Sequence, residues 1–139
     1  MKKFISLFVI IFIFAACSKK VVKFELFSPE AFAYSLDEGY ELDAKILVKG
    51  FHINEADKNF SAKLTYSADI VMPNGTVQKD VNTGVVSKEE KEEFTEMEIS
   101  IQKTLDKSFK TGKYKVIFNV TDDATKQQLK TEKDFGLSE

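Results

Sequence analysis

The sequence contains no arginine and no tryptophan, one cysteine, one histidine and two prolines in 139 residues. Each shortage closes a class of chemistry. Without the planar guanidinium fork there is no bidentate clamp for phosphate, carboxylate or guanine, so nucleic-acid binding is not expected although twenty lysines are present. A single thiol, Cys17, excludes a disulfide framework and a cysteine metal site. One histidine, His52, and no glycine-rich phosphate loop leave the common nucleophile, base and nucleotide-binding constellations empty. The sequence is therefore expected to specify no catalytic residues and no enzyme. The longest apolar run covers residues 4–16, short of the roughly 20 residues needed to span a bilayer.

That run has a particular setting. Lys2 and Lys3 precede it, Ser6 alone interrupts it, and the small residues Ala15 and Ala16 end it just before Cys17. The succession resembles a bacterial lipoprotein signal with Phe14-Ala15-Ala16-Cys17 as its lipobox, phenylalanine standing where that family mostly carries leucine. The resemblance implies cleavage before Cys17, lipidation of Cys17 and attachment to the membrane through the lipid, with no other cofactor. Acyl chains contribute about 0.8 kcal/mol per buried CH₂, so two or three of them hold firmly. Ser18 resembles the signal for an outer-membrane destination in bacteria with two membranes; in a cell with one, the domain would face outside. The expected division is a signal peptide at 1–16, a lipidated cysteine with a short tether at 17–20, and one domain at 21–139. After cleavage the formal charge is 18 − 22 = −4.

The domain reads as β throughout. Phe60, Ala62, Leu64, Tyr66, Ala68, Ile70 and Met72 alternate with polar residues, as do Tyr40, Leu42, Ala44, Ile46 and Val48, and Tyr114, Val116, Phe118 and Val120. Weaker strands are expected at 22–27, 32–36, 77–86, 95–103 and 129–137. Turn chemistry separates them at Ser28-Pro29, Asp37-Glu38-Gly39, Pro73-Asn74-Gly75-Thr76, Thr111-Gly112 and Asp122-Asp123. Residues 87–93, with Ser87 and Glu90 spaced as a capping box, are expected to form a short helix. Seven or eight short strands imply an all-β antiparallel sandwich, with a barrel as the other closed solution. Residues 112–135 resemble the last hairpin of an immunoglobulin-like or fibronectin-like sandwich, with Tyr114 where those folds carry a corner tyrosine. The inter-sheet cysteines and buried tryptophan of antibody domains are missing.

In the common order of that fold, the first strand starts at the end carrying loops 52–59, 87–93 and 122–126. A tether of residues 18–20 spans at most about 10 Å, so the domain would sit against the headgroups. The opposite end would present Asn74 and the lysines Lys107, Lys110 and Lys113 around Phe109, a candidate docking surface for another envelope protein. An alternative is a calcium- or copper-responsive module, with Asn54, Asp57, Asp122 and Asp123 supplying oxygens for the hard cation. A small hydrolase built from the abundant carboxylates ranks below both. The leading expectation is a lipid-anchored cell-envelope lipoprotein whose sandwich binds or assembles with protein partners close to the membrane.

Overall fold

The computed structural model describes residues 21–139; the expected signal peptide, Cys17 and tether lie outside the described residues. Period-two alternation forms strands wherever it is clean. Tyr40, Leu42, Ala44, Ile46 and Val48 are all buried along β2 (Tyr40–Lys49), and their polar neighbours remain half-exposed. Leu64, Ala68 and Ile70 do the same on β4 (Asn59–Val71), and Tyr114, Val116, Phe118 and Val120 on β7 (Gly112–Asp122). The remaining strands are β1 (Glu25–Ser35), β3 (Asn54–Ala56), β5 (Val77–Glu90), β6 (Glu96–Leu105) and β8 (Gln128–Leu137).

They form an antiparallel three-stranded sheet, β1-β2-β6, and a five-stranded sheet in which β4 pairs with β3, β5 and β7, and β7 with β8. Because β5 and β3 both pair with Phe60 and Ser61, they must use opposite edges of β4; β3 therefore shares the edge that β7 takes from Leu64 onward. The inner faces of both sheets contribute to one apolar core containing Leu42, Ile46, Leu64, Ile70, Ile99 and Phe118. Each such side chain stabilises the fold by about 1.5–3 kcal/mol. This is an all-β sandwich of two antiparallel sheets, as the strand pattern implied. Tyr114 also behaves as a corner tyrosine, its hydroxyl donating to the Lys110 carbonyl at 2.7 Å.

Three local expectations are corrected. The strands expected at 22–27 and 32–36 merge into one, β1 at Glu25–Ser35, because Ser28-Pro29 makes a bulge instead of a reversal. Ser28 takes a left-handed φ of 51°, proline offers no N–H, and the ladder resumes at Glu30 opposite Lys45. The segment expected to be helical continues β5, with Ser87, Lys88, Glu89 and Glu90 opposite Lys63, Ala62, Ser61 and Phe60. One or two helical turns cannot repay their nucleation cost when a neighbouring strand accepts the same backbone bonds. The short strand β3 was not anticipated. Its hairpin to β4 turns on Asp57 and Lys58, both left-handed at φ 51° and 65°, as a two-residue hairpin of right-handed twist requires.

The register fixes which loops share an end. Glu25 at the start of β1 and Glu96 at the start of β6 both flank Lys49 at the end of β2. Loops 50–53, 91–95 and 123–127 thus gather at the end where the described chain begins, and loops 36–39, 72–76 and 106–111 gather at the other. Val21 is exposed, but Phe24 is buried and the backbone of Lys23 lies directly against Gly50.

Candidate functional site

At the end where β1 begins, Asp122 is only 2% exposed. Its Oδ2 accepts the backbone N–H of His52 at 2.7 Å and its Oδ1 that of Ala124 at 3.0 Å, so the carboxylate ties loop 50–53 to the β7–β8 turn. Asp123 accepts the Thr65 hydroxyl at 2.6 Å and lies 3.7 Å from the Lys63 ammonium. Asn54 and Asp57 are exposed on β3 and its turn. Among the described residues no three His, Cys, Asp or Glu side chains stand together in a way that could hold a metal ion. The oxygens proposed for calcium from the sequence are committed to backbone and side-chain partners at Asp122 and Asp123. His52 contributes its backbone here, and its ring is exposed.

The far end differs from expectation in one residue. Phe109 is buried at 8% exposure, its ring centroid 6.0 Å from that of Tyr114, so it belongs to the core and not to a docking patch. The cause is the turn before it. Asp106 accepts the N–H of Ser108 at 2.8 Å as well as its hydroxyl, and its carbonyl accepts the Phe109 N–H at 3.1 Å, which folds the ring inward. The Ser108 bonds hold the Asp106 carboxyl below its usual range. Lys107 pairs with Glu38 at 2.7 Å, Lys110 leans back to the Lys107 carbonyl at 3.4 Å, and Lys113 is exposed beyond them. Asn74 uses its Oδ1 to accept the Thr76 N–H at 3.0 Å and so closes its own turn. The lysines and Asn74 share one end of the molecule without converging on a pocket that includes them all.

Two features on the outer faces of the sheets went unnoticed in the sequence. On the five-stranded sheet, Asp69 is 7% exposed at the floor of a hollow of about 680 Å³. One of its oxygens accepts the Asp80 N–H at 2.9 Å and the other the Asn119 side-chain amide at 3.1 Å. Asp80 sits at φ 54° where the β4–β5 register shifts, so the buried carboxylate secures a bulge in β5. Each oxygen of the carboxylate thus has a partner within the fold.

The second feature lies on the outside of the three-stranded sheet. Ala31 takes the core-facing phase of β1, with Ala33 packed against the core beside it, and Phe32 and Tyr34 are left 57% and 53% exposed on the opposite face. The pairing builds fixed rows across this face: Glu30-Lys45-Ser100, Phe32-Asp43-Gln102 and Tyr34-Glu41-Thr104. Glu30 and Lys45 are 3.2 Å apart, and the Gln102 amide donates to Glu41 at 2.6 Å. The first two rows border an open groove of about 530 Å³ lined by Glu30, Phe32, Asp43, Lys45, Ser100 and Gln102. The signal available beforehand was an aromatic pair two residues apart with alanines in the alternate positions.

No family model matches the chain, and no curated protein matches it. Among solved structures it is similar to a family 123 glycoside hydrolase from Clostridium perfringens, studied for glycolipid glycan hydrolysis. The TM-score is 0.51 at 16% identity, covering 77% of this chain and 22% of the hydrolase, so the likeness is one of fold and concerns a small part of that protein. It nevertheless corrects the expectation of no enzyme. That expectation was drawn from missing sequence motifs, whereas the same sandwich occurs inside a hydrolase, and paired carboxylates of glycosidases carry no local sequence signature.

Proposed function

We propose that this chain is a lipid-anchored lipoprotein of the cell envelope whose sandwich binds or assembles with another protein close to the membrane. The observation that carries the proposal is the succession Lys2-Lys3, apolar residues 4–16, Ala15-Ala16 and Cys17. The docking of Lys23 and Phe24 against the fold supports the short reach. It leaves residues 18–22 between Cys17 and the packed chain, at most about 17 Å when extended. This exceeds the roughly 10 Å expected for a tether of residues 18–20 alone. One strand edge and one end of the molecule offer places for a partner. Among the described residues β5 pairs only with β4 over its 14 residues, it carries the exposed Val77 and Val85, and an unpaired edge accepts an added strand. Lys107, Lys110 and Lys113 at the far end suit an acidic partner.

The anchor is tested by growing bacteria expressing the full chain on an alkyne-bearing fatty acid, followed by detergent phase partition. Wild type should take up the label and enter the detergent phase, and Cys17→Ala should do neither. An unlabelled wild type, or label retained by Cys17→Ala, would refute the anchor.

A further inference from the structure

The outer face of the three-stranded sheet presents two large aromatic rings to solvent among mostly polar side chains, with Phe27 and Leu47 half-buried at one end of it. We propose that this face is a carbohydrate-binding platform, with Phe32 and Tyr34 stacking on successive units of a neutral oligosaccharide and Asp43 and Gln102 bonding its hydroxyls. The site lies on the opposite sheet to the β5 edge, with the Asn82 amide of β5 donating to the Gln102 carbonyl at 3.5 Å, and it is distinct from the proposed lipid anchor.

The geometry follows from the strand. Same-face residues two apart on β1 are separated by about 6.6–6.8 Å along the strand, so the rings spread out in a line and do not stack on each other. Phe27, half-buried with the Lys49 ammonium 4.9 Å from its ring centroid, continues that line beyond the bulge. A linear ligand along β1 would meet both exposed rings. The C–H faces of a pyranose carry partial positive charge and suit the electron-rich faces of aromatic rings. Its hydroxyls need donors and acceptors at fixed height, which a sheet supplies because each row is held in register by backbone bonds.

The charges narrow the ligand class. Lys45 is partnered by Glu30 at 3.2 Å, and Glu41 is bonded by Gln102 at 2.6 Å. The groove lining holds Glu30, Asp43 and Lys45, a mixed set with no surplus of cations. A phosphate-bearing or otherwise anionic polymer would meet carboxylates without compensation, and the chain has no arginine to offer it. A purely apolar partner would bury Asp43, Lys45 and Glu30, each at a desolvation cost. A neutral polyhydroxylated ligand satisfies these groups while it covers the rings. Exposed aromatics of this size on one face are also unusual without a function.

The test is isothermal titration calorimetry of the full chain in a detergent without a sugar headgroup, with cellohexaose, chitohexaose and mannohexaose as probes. At least one hexasaccharide should bind. Phe32→Ala and Tyr34→Ala should each weaken it at least tenfold with unchanged melting temperatures, since both side chains already face solvent. Lys133→Ala, exposed on β8 of the other sheet, should bind as wild type does. Absence of binding to all three sugars up to millimolar concentration would overturn the proposal. So would undiminished binding by the double variant, or sedimentation showing that the two rings hold a dimer that binds no sugar.

Discussion

Tyr114 combines aromatic packing, a hydrogen bond and a shifted ionisation in one side chain. Its ring is 3% exposed, lies between Phe109 and Phe135 at centroid distances of 6.0 and 5.5 Å, and ends in a hydroxyl that donates to the Lys110 carbonyl. Burial pushes its pKa above the usual phenol value. The folded protein thus keeps this proton where the unfolded chain loses it, so the stabilisation is complete below pH about 10 and fades as pH rises through the folded value. Tyr114→Phe should cost about 1 kcal/mol at neutral pH through the lost hydrogen bond. It should also flatten the alkaline fall in stability, as urea titrations between pH 7 and 11 would reveal. The flattening will be partial. Lys115, whose pKa is raised by the hydrogen bond and charge of Glu132, loses its own contribution over the same alkaline range. The corner tyrosine was legible in Gly112-Lys113-Tyr114, whereas the inward turn of Phe109 was not. Its cause is the capping of a turn by Asp106, and the same Asp-x-Ser pattern is compatible with an outward ring.

Among the elements, strands with strict alternation were legible to within a residue or two, since period two is a local property that also reports which face is buried. β2 and β7 are of this kind. The failures fall where local sequence permits two outcomes. Ser28-Pro29 suits a turn or a bulge, and pairing on both sides with β2 selects the bulge. Residues 87–93 carry helix formers, and the open edge of β4 selects the strand through Glu90. Gly50 makes a comparable decision where β2 ends. At φ 72° it lets the leading segment cross so closely that an added Cβ would lie 2.1 Å from the Lys23 carbonyl oxygen. Gly50→Ala combines a left-handed cost of about 1–2 kcal/mol with partial loss of Phe24 burial, worth about 1.5–3 kcal/mol. A loss of roughly 3 kcal/mol is expected in denaturant titration, together with faster hydrogen exchange at residues 23–26. An unchanged midpoint would mean that the segment is not held by this crossing.

For the whole molecule, the placement of the first strand gives the proposed anchor its mechanical meaning. A domain whose leading residues dock at one end has that end near whatever holds Cys17. Inserting ten Gly/Ser residues between Lys20 and Val21 would add a root-mean-square reach of about 17 Å. Because Val21 is 92% exposed, the melting temperature should not move. Cross-linking to a membrane-proximal partner should fall, and cross-linking that survives the insertion would set the short-reach reading aside. The sequence alone determined the all-β class, the inward residues of the main strands and the lipobox resemblance, because periodicity and signal patterns are read over neighbouring residues. Only the tertiary structure decided that Asp122 and Asp69 secure loops and a bulge, that Phe109 belongs to the core, and that Phe32 borders a groove with Asp43 and Gln102 while Tyr34 stands exposed in the next row. Those outcomes depend on which strand lies beside which, and pairing brings together residues up to tens of positions apart whose proximity no local pattern encodes.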